Sequence, residues 1–270
     1  MGPHISRYTM ALFPRRFLGS YLFLTLYVAV TILALTKLTL AKPLPVEQIA
    51  STTRLSVIIR KPAVLVAVTS ATLANGVMVL MMVSTPLAMS FCGHSYAAAT
   101  SVVGWHFIGM LAPSLLTGWL IRRFGPLKVM LVGTALLYSC TAISLSGSAV
   151  AYFWAAMFLL GVGWNLVYIG GASLLVNSCL PEEMAVSQGL NDMSIAAVQV
   201  ITSVCAGAIV TSGGWNSLGY LSLACITIIV SVLLWLMRTS RPRPADAGRT
   251  AGSETPYCRP AEALTTTGEE

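Results

Sequence analysis

Few side chains in this sequence are equipped for chemistry, and the candidates sit in apolar surroundings. Asp192 is the only acidic residue inside any long apolar run. Counted from Gln188, helical spacings of 4, 11 and 15 put Asp192, Gln199 and Ser203 on one face. A carboxylate is expensive against hydrocarbon, so this one should face protein or water, as a gate or a proton-coupling group. The plainer alternative is a structural contact near the membrane boundary, because Asp192 lies about seven residues, or ~10 Å, inside its run. His106 lies mid-run on a face with Met110, Pro113 and Thr117. Such an imidazole could hold a solute or carry a proton; otherwise it is a neutral ring bonded to the next helix. Asn165 has Trp164 and Tyr168 close by. An amide between aromatic rings suits a partly aromatic ligand, with interhelical packing as the alternative. Asn75 ends a four-residue series of small residues, Ala63, Ala67 and Ala71, and Gln199 offers a second buried amide. Gly163, Val167 and Gly171 make a similar close-packing stripe. His106, Asn165 and Asp192 are expected to face one polar interior.

Other chemistry finds no support. There is no HExxH, no GxSxG, no phosphate loop and no pair of membrane aspartates, so no enzyme is expected. Cys140, Cys205 and Cys225 lie within apolar runs, and Cys92, Cys179 and Cys258 near run ends or in the tail. None has the spacing of a zinc site or a disulfide framework, so neither metal nor cofactor is implied. The net charge of +7 does not suggest nucleic acid, because no basic stretch is interleaved with stacking aromatics.

The elements that must position these residues are membrane helices. Hydrophobic residues make up 56% of the chain and charged residues only 9%, against about 25% in soluble domains. Tyr96 to Ile121 alone is 26 residues without Asp, Glu, Lys or Arg, enough to cross a ~30 Å hydrocarbon core. After a basic lead at 1–16, apolar runs fall at 17–36, 62–88, 96–121, 128–147, 151–177, 185–210 and 217–237. The first has basic residues before it and a passable cleavage site at Thr39-Leu40-Ala41, but it exceeds a signal-peptide core and is expected to stay as a helix. The 37–61 loop carries five Lys/Arg, the 122–128 turn three, and the C-terminal end, counted from Arg238, five. The gaps near 89–95, 148–150 and 211–216 carry none. That alternation places the basic loops and the C-terminus in the cytoplasm of a multi-pass inner-membrane protein. Two features break the pattern. The 178–184 loop holds only Glu182 and Glu183, which suit a helix first turn after Pro181. The three arginines of the N-terminal lead fall on the outside, which suggests part of something larger. The tail at 239–270, rich in Pro, Gly, Thr and Glu, is expected to be disordered.

The turn Gly118-Trp-Leu-Ile-Arg122-Arg123-Phe-Gly125-Pro-Leu-Lys128 resembles the loop motif of the major facilitator superfamily (MFS), G-x-x-x-D-[RK]-x-G-x-[RK]-[RK], in its second-half copy. Gly118, Arg123, Gly125 and Lys128 match; Arg122 stands at the aspartate and Leu127 at a basic position. The stretches GVGWNLVYIGGASLL and PEEMAVSQGLNDMSIAAVQV resemble the tenth and eleventh helices of bacterial members. The resemblance implies an all-α membrane protein of about seven helices. Residues 17–36 would be the family's sixth helix, 37–61 its central loop, and 62–238 a six-helix C-terminal half. It also implies a secondary transporter of a small organic solute working by alternating access, with proton coupling as one option, as a partial chain. The alternative is a non-transporting accessory half that needs a partner N-terminal half, and self-association of two halves is a third arrangement.

Overall fold

The computed structural model describes residues 18–37 and 55–239. The N-terminal lead, residues 38–54 of the long loop and the tail beyond Thr239 lie outside the described residues. What is described is helical, without strands. The helices are α1 (Leu18–Thr36), α2 (Leu55–Ile59), α3 (Pro62–Phe91), α4 (Tyr96–Leu111), α5 (Ser114–Phe124), α6 (Pro126–Ser146), α7 (Val150–Ser178) and α8 (Pro181–Thr239). α2 is a short helix inside the segment that the sequence suggests is all loop.

Two helices break at residues whose backbone demands it. Pro113 has no N–H and its ring crowds the preceding turn, so α4 ends at Leu111 and α5 starts at Ser114. The two pieces together make one 29-residue crossing. α8 is 59 residues long. Straight, it would measure ~88 Å, nearly three hydrocarbon cores. Gly214 interrupts it at φ 71°, ψ 178°, a conformation reserved for glycine. Contacts on either side show that the chain reverses there. Before Gly214, Glu183 pairs with Lys61 at the start of α3, Gln199 bonds Asn75, and Ser84 donates to the Ala206 carbonyl. After it, Trp215 donates to the Ser144 carbonyl at the end of α6, and the Tyr138 hydroxyl meets Thr227 further back. The first arm runs with α3 and the second against α6. Among the described residues the crossings are therefore α1, α3, α4–α5, α6, α7 and the two arms of α8, seven as the hydropathy pattern suggests.

α7 is the centre of the bundle, packed against α3, α4, α5 and α6. Between membrane helices there is no water to expel, so association depends on close van der Waals packing and interhelical hydrogen bonds. α7 meets that need with missing side chains. A Cβ on Gly163 would lie 2.8 Å from the Gly133 carbonyl of α6, and one on Gly161 would lie 2.6 Å from the His106 carbonyl of α4. On the third side, Gly171 faces Ala67 and Ala71 of α3 at 3.5 and 3.7 Å. Met130, Leu137, Leu160 and Val167, each fully buried, fill the space between. α1, by contrast, buries only Gly19 and leaves its apolar side chains exposed.

This packing makes two alanine substitutions diverge. Gly161→Ala should destabilise by about 1–3 kcal/mol through overpacking. Gly207→Ala, on an open stretch of α8 with nothing within 4 Å of the new Cβ, should be neutral or stabilise by up to about 1 kcal/mol. Thermal unfolding in detergent, followed by circular dichroism, separates the two. Equal shifts would contradict backbone-to-backbone packing of α7.

Candidate functional site

The polar residues singled out from the sequence fall into distinct clusters. Asn75 is 2% exposed. Its Nδ2 donates to the Ala71 carbonyl at 2.8 Å, and its Oδ1 accepts from Gln199 Nε2 at 3.2 Å. This amide pair ties α3 to the first arm of α8. Asn165, 3% exposed, ties α7 to the α4–α5 break. Its Nδ2 donates to the Met110 carbonyl at 2.7 Å, in the last turn of α4, where helical carbonyls lose their partners. Its Oδ1 accepts from Thr117 Oγ1 at 2.7 Å, and that hydroxyl also lies 2.8 Å from the Pro113 carbonyl. The amide thus replaces part of the bonding lost at Pro113.

His106 is fully buried between α4 and α7. Its Nδ1 lies 2.8 Å from the Met157 carbonyl and so carries the proton, which leaves Nε2 bare. That Nε2 is buried without a hydrogen-bond partner among the described residues. On the far side of Met157, Thr85 Oγ1 sits 3.2 Å from Sδ, so α3 closes the same patch.

Trp164 and Tyr168 stack on α7 with centroids 4.8 Å apart and planes 8° from parallel. Both are half-buried. Helix register places them at the level of Asn75. Gly171 abuts Ala67 and Ala71, Met157 abuts Thr85, and Asn75 falls between those contacts opposite the Trp164–Tyr168 turn. Trp164 Nε1 and Thr72 Oγ1, the latter one turn before Asn75, are both buried without partners among the described residues. Two stacked rings, two amides and two free donors therefore lie at one depth.

Asp192 stands apart. It is exposed, on an α8 arm that packs chiefly against α3. Its Oδ1 accepts from Gln188 and Asn191, each at 3.3 Å. The shared face with Gln188 is as the spacing suggests. The single interior with His106 and Asn165 is not what the contacts show, because those two are enclosed where α7 meets α4 and α5, and Asp192 is not.

The basic turn is built around Gly125, which ends α5 and starts α6 at φ 82°, ψ 156°. Only glycine adopts that region at low energy. Gly118, Arg122, Arg123 and Lys128 are all exposed.

The profile of the Major Facilitator Superfamily matches residues 66–266. The chain belongs to the Major Facilitator Superfamily. It is similar to the riboflavin transporter RfnT of Brucella anthropi, at 33% identity over 190 residues, covering 70% of this chain and 47% of that protein. It is also similar to two uncharacterized MFS-type transporters of Bacillus subtilis. YdeG is 31% identical over 177 residues, covering 65% of this chain and 41% of that protein, and YddS is 28% identical over 182 residues, covering 67% and 42%. The chain thus spans less than half the length of these curated relatives. No solved structure matches it. It is a multi-pass membrane protein of a transporter family, not an enzyme.

Within this superfamily the Gly125 geometry gives the loop motif a backbone reason: the second glycine of the motif is the residue at positive φ. Two contacts of the structure escape sequence reasoning. Lys61 and Glu183 form the one ion pair among the described residues, and Glu183 also accepts from the Leu180 backbone at 3.0 Å. The first-turn position of Glu183 is visible in the sequence, but its partner lies 122 residues away. Thr117 is the second, and its spacing from His106 marks its face without showing that it faces Asn165.

The Asn165–Thr117 bond is testable by a double-mutant cycle. Asn165→Ala and Thr117→Val should couple by about 0.6 kcal/mol and by no more than about 1.7 kcal/mol, the range for hydrogen bonds between membrane helices. Equilibrium unfolding in mixed detergent micelles reads the coupling, and strictly additive losses would remove the bond from the account.

Proposed function

We propose that this chain forms the second half of a secondary transporter for a small organic solute with a planar ring. The observation that carries the reading is the stacked Trp164–Tyr168 pair lying level with the Asn75–Gln199 amides. A planar, hydrogen-bonding solute such as riboflavin offers a face to aromatic rings and edge atoms to amides and to the free donors of Trp164 and Thr72. The naming of one relative as a riboflavin transporter supports that class of solute. Alternating access in this fold rocks one six-helix half against another around a site at their interface. The six crossings from α3 onward supply one half. A first half, on the same polypeptide or a separate one, supplies the other wall. His106, with its bare Nε2, and Asp192 are the candidates for proton coupling. Gly118, Arg122, Arg123, Gly125 and Lys128 form a turn on the cytoplasmic side in this reading, together with the 37–61 loop and the C-terminus.

Two measurements test it. The first is flux in liposomes under a proton gradient, with the chain alone and with a six-helix first half from a full-length relative. The chain alone should give no saturable flux. The pair should transport, and Trp164→Ala should lower transport by about tenfold, the equivalent of one lost aromatic contact of about 1.4 kcal/mol. Saturable flux by the chain alone, abolished by His106→Ala or Asp192→Asn, would replace the two-half reading with a self-paired one. The second is orientation. In a background without native thiols, Ser148→Cys should react with an impermeant reagent from outside the cell and Arg123→Cys should not. The reverse pattern would overturn the orientation.

A further inference from the structure

A cavity of about 320 Å³ opens beside the basic turn, lined by Leu120, Phe124, Lys128, Val129, Val132 and Leu166. Val129 and Leu166, 4% and 5% exposed, form its floor. Phe124 and Val132, 50% and 56% exposed, form a rim open to the surroundings of the bundle. Lys128 is the single charged residue of the lining, at the turn end, and Val132 lies one helical turn, ~6 Å, deeper along α6. The lining is apolar throughout, Lys128 contributing its aliphatic stem, and the exposed Lys128 ammonium can reach the turn end of the crevice from outside that lining.

Among the described residues, the charge at that end has no carboxylate counter-ion. The carboxylates among the described residues, Glu182, Glu183 and Asp192, all lie on α8. Glu183 is paired with Lys61, and Asp192 accepts from Gln188 and Asn191. Arg122, Arg123 and Lys128 have no carboxylate partner among the described residues. The two arginines favour the C-terminal dipole of α5.

What fills such a crevice in a membrane protein must be apolar along its length and anionic at its head. Water has no polar partners in the apolar part. A lipid without net charge would fill the walls and leave the three cations without an anionic partner among the described residues. Basic pockets between membrane helices hold anionic headgroups, and phosphate–cation hydrogen bonds are among the stronger ones. We propose that this crevice binds an anionic phospholipid. One acyl chain lies over Val129, Val132, Leu120 and Leu166, and the phosphate sits on Lys128 in the positive field of Arg122 and Arg123. The site requires only that the chain sits in a membrane, so it stands or falls separately from the transport reading.

Native mass spectrometry of the full chain in detergent tests it, with phosphatidylglycerol and phosphatidylcholine of identical acyl chains as probes. Phosphatidylglycerol adducts should exceed phosphatidylcholine adducts at least tenfold. Lys128→Gln should abolish the preference and Lys128→Arg should keep it. Val132→Trp, which fills the crevice from its exposed rim, should abolish adducts while leaving the cations in place. Soluble glycerol phosphate should not compete. Equal binding of the two lipids, or adducts that survive both Lys128→Gln and Val132→Trp, would overturn the proposal. So would loss in Lys128→Gln without loss in Val132→Trp, or full competition by glycerol phosphate, because each marks a headgroup patch without a chain site. Crevice variants that bind no lipid yet form stable dimers would assign the face to a second copy instead. An unchanged circular dichroism spectrum and melting temperature, expected for substitutions at exposed Lys128 and Val132, are required of each variant.

Discussion

The close approach of α7 to its neighbours is the constraint on which the rest of the bundle depends. In hydrocarbon the apolar surfaces of two helices gain nothing by leaving lipid, so only contact distance and hydrogen bonds hold them. Gly161 and Gly163 admit the carbonyls of His106 and Gly133 to places where a side chain would stand. With α7 gripped on both sides and its Gly171 set on Ala67 and Ala71, the register against α3 is fixed. That register puts Trp164 and Tyr168 at the depth of Asn75, and it brings Asn165 to the gap that Pro113 opens in the neighbouring crossing.

Buried polar groups here divide by how completely they are satisfied. Asn165 spends both ends of its amide on neighbouring helices, which makes it a clasp in this conformation. Asn75 and Gln199 bond one another but retain capacity, and Trp164 Nε1, Thr72 Oγ1 and His106 Nε2 have none of theirs used among the described residues. An unpaired buried donor or acceptor is costly in a membrane interior. Two of these atoms, Trp164 Nε1 and Thr72 Oγ1, share the depth of the Asn75–Gln199 pair. The contrast gives a physical reason to place solute contact at the Asn75 level and structural support at Asn165.

Much of the architecture is visible in the sequence because the bilayer imposes simple rules. Uncharged runs such as Tyr96 to Ile121 mark the crossings. The glycine of the basic turn is legible too, since Gly125 precedes Pro126 between two apolar runs. The limits are also physical. The uncharged gap near 211–216 reads as a loop, yet the chain turns at Gly214 with helix on both sides, because one residue in a glycine-only conformation suffices. The partners of the candidate residues are invisible, since Asn75 and Gln199 stand 124 positions apart and Lys61 and Glu183 stand 122 apart. Spacing tells which face a residue occupies but not which helix meets it. That is why Asp192 is easily grouped with His106 in sequence and stands apart from it in space.

The register of α3 against α7 is the most direct point of attack. A Cβ on Gly171 would lie 3.7 Å from the Ala71 Cβ, inside the range for a disulfide of about 3.5–4.5 Å. In a background without native thiols, the Ala71→Cys, Gly171→Cys double variant should form an intramolecular cross-link under mild oxidation, detected by intact mass and peptide mapping. Ala74→Cys with Gly171→Cys, displaced along α3, should not. A cross-link in the displaced pair and none in the first would mean that α7 sits one turn away, and the common level of Asn75 with Trp164 and Tyr168 would be lost with it.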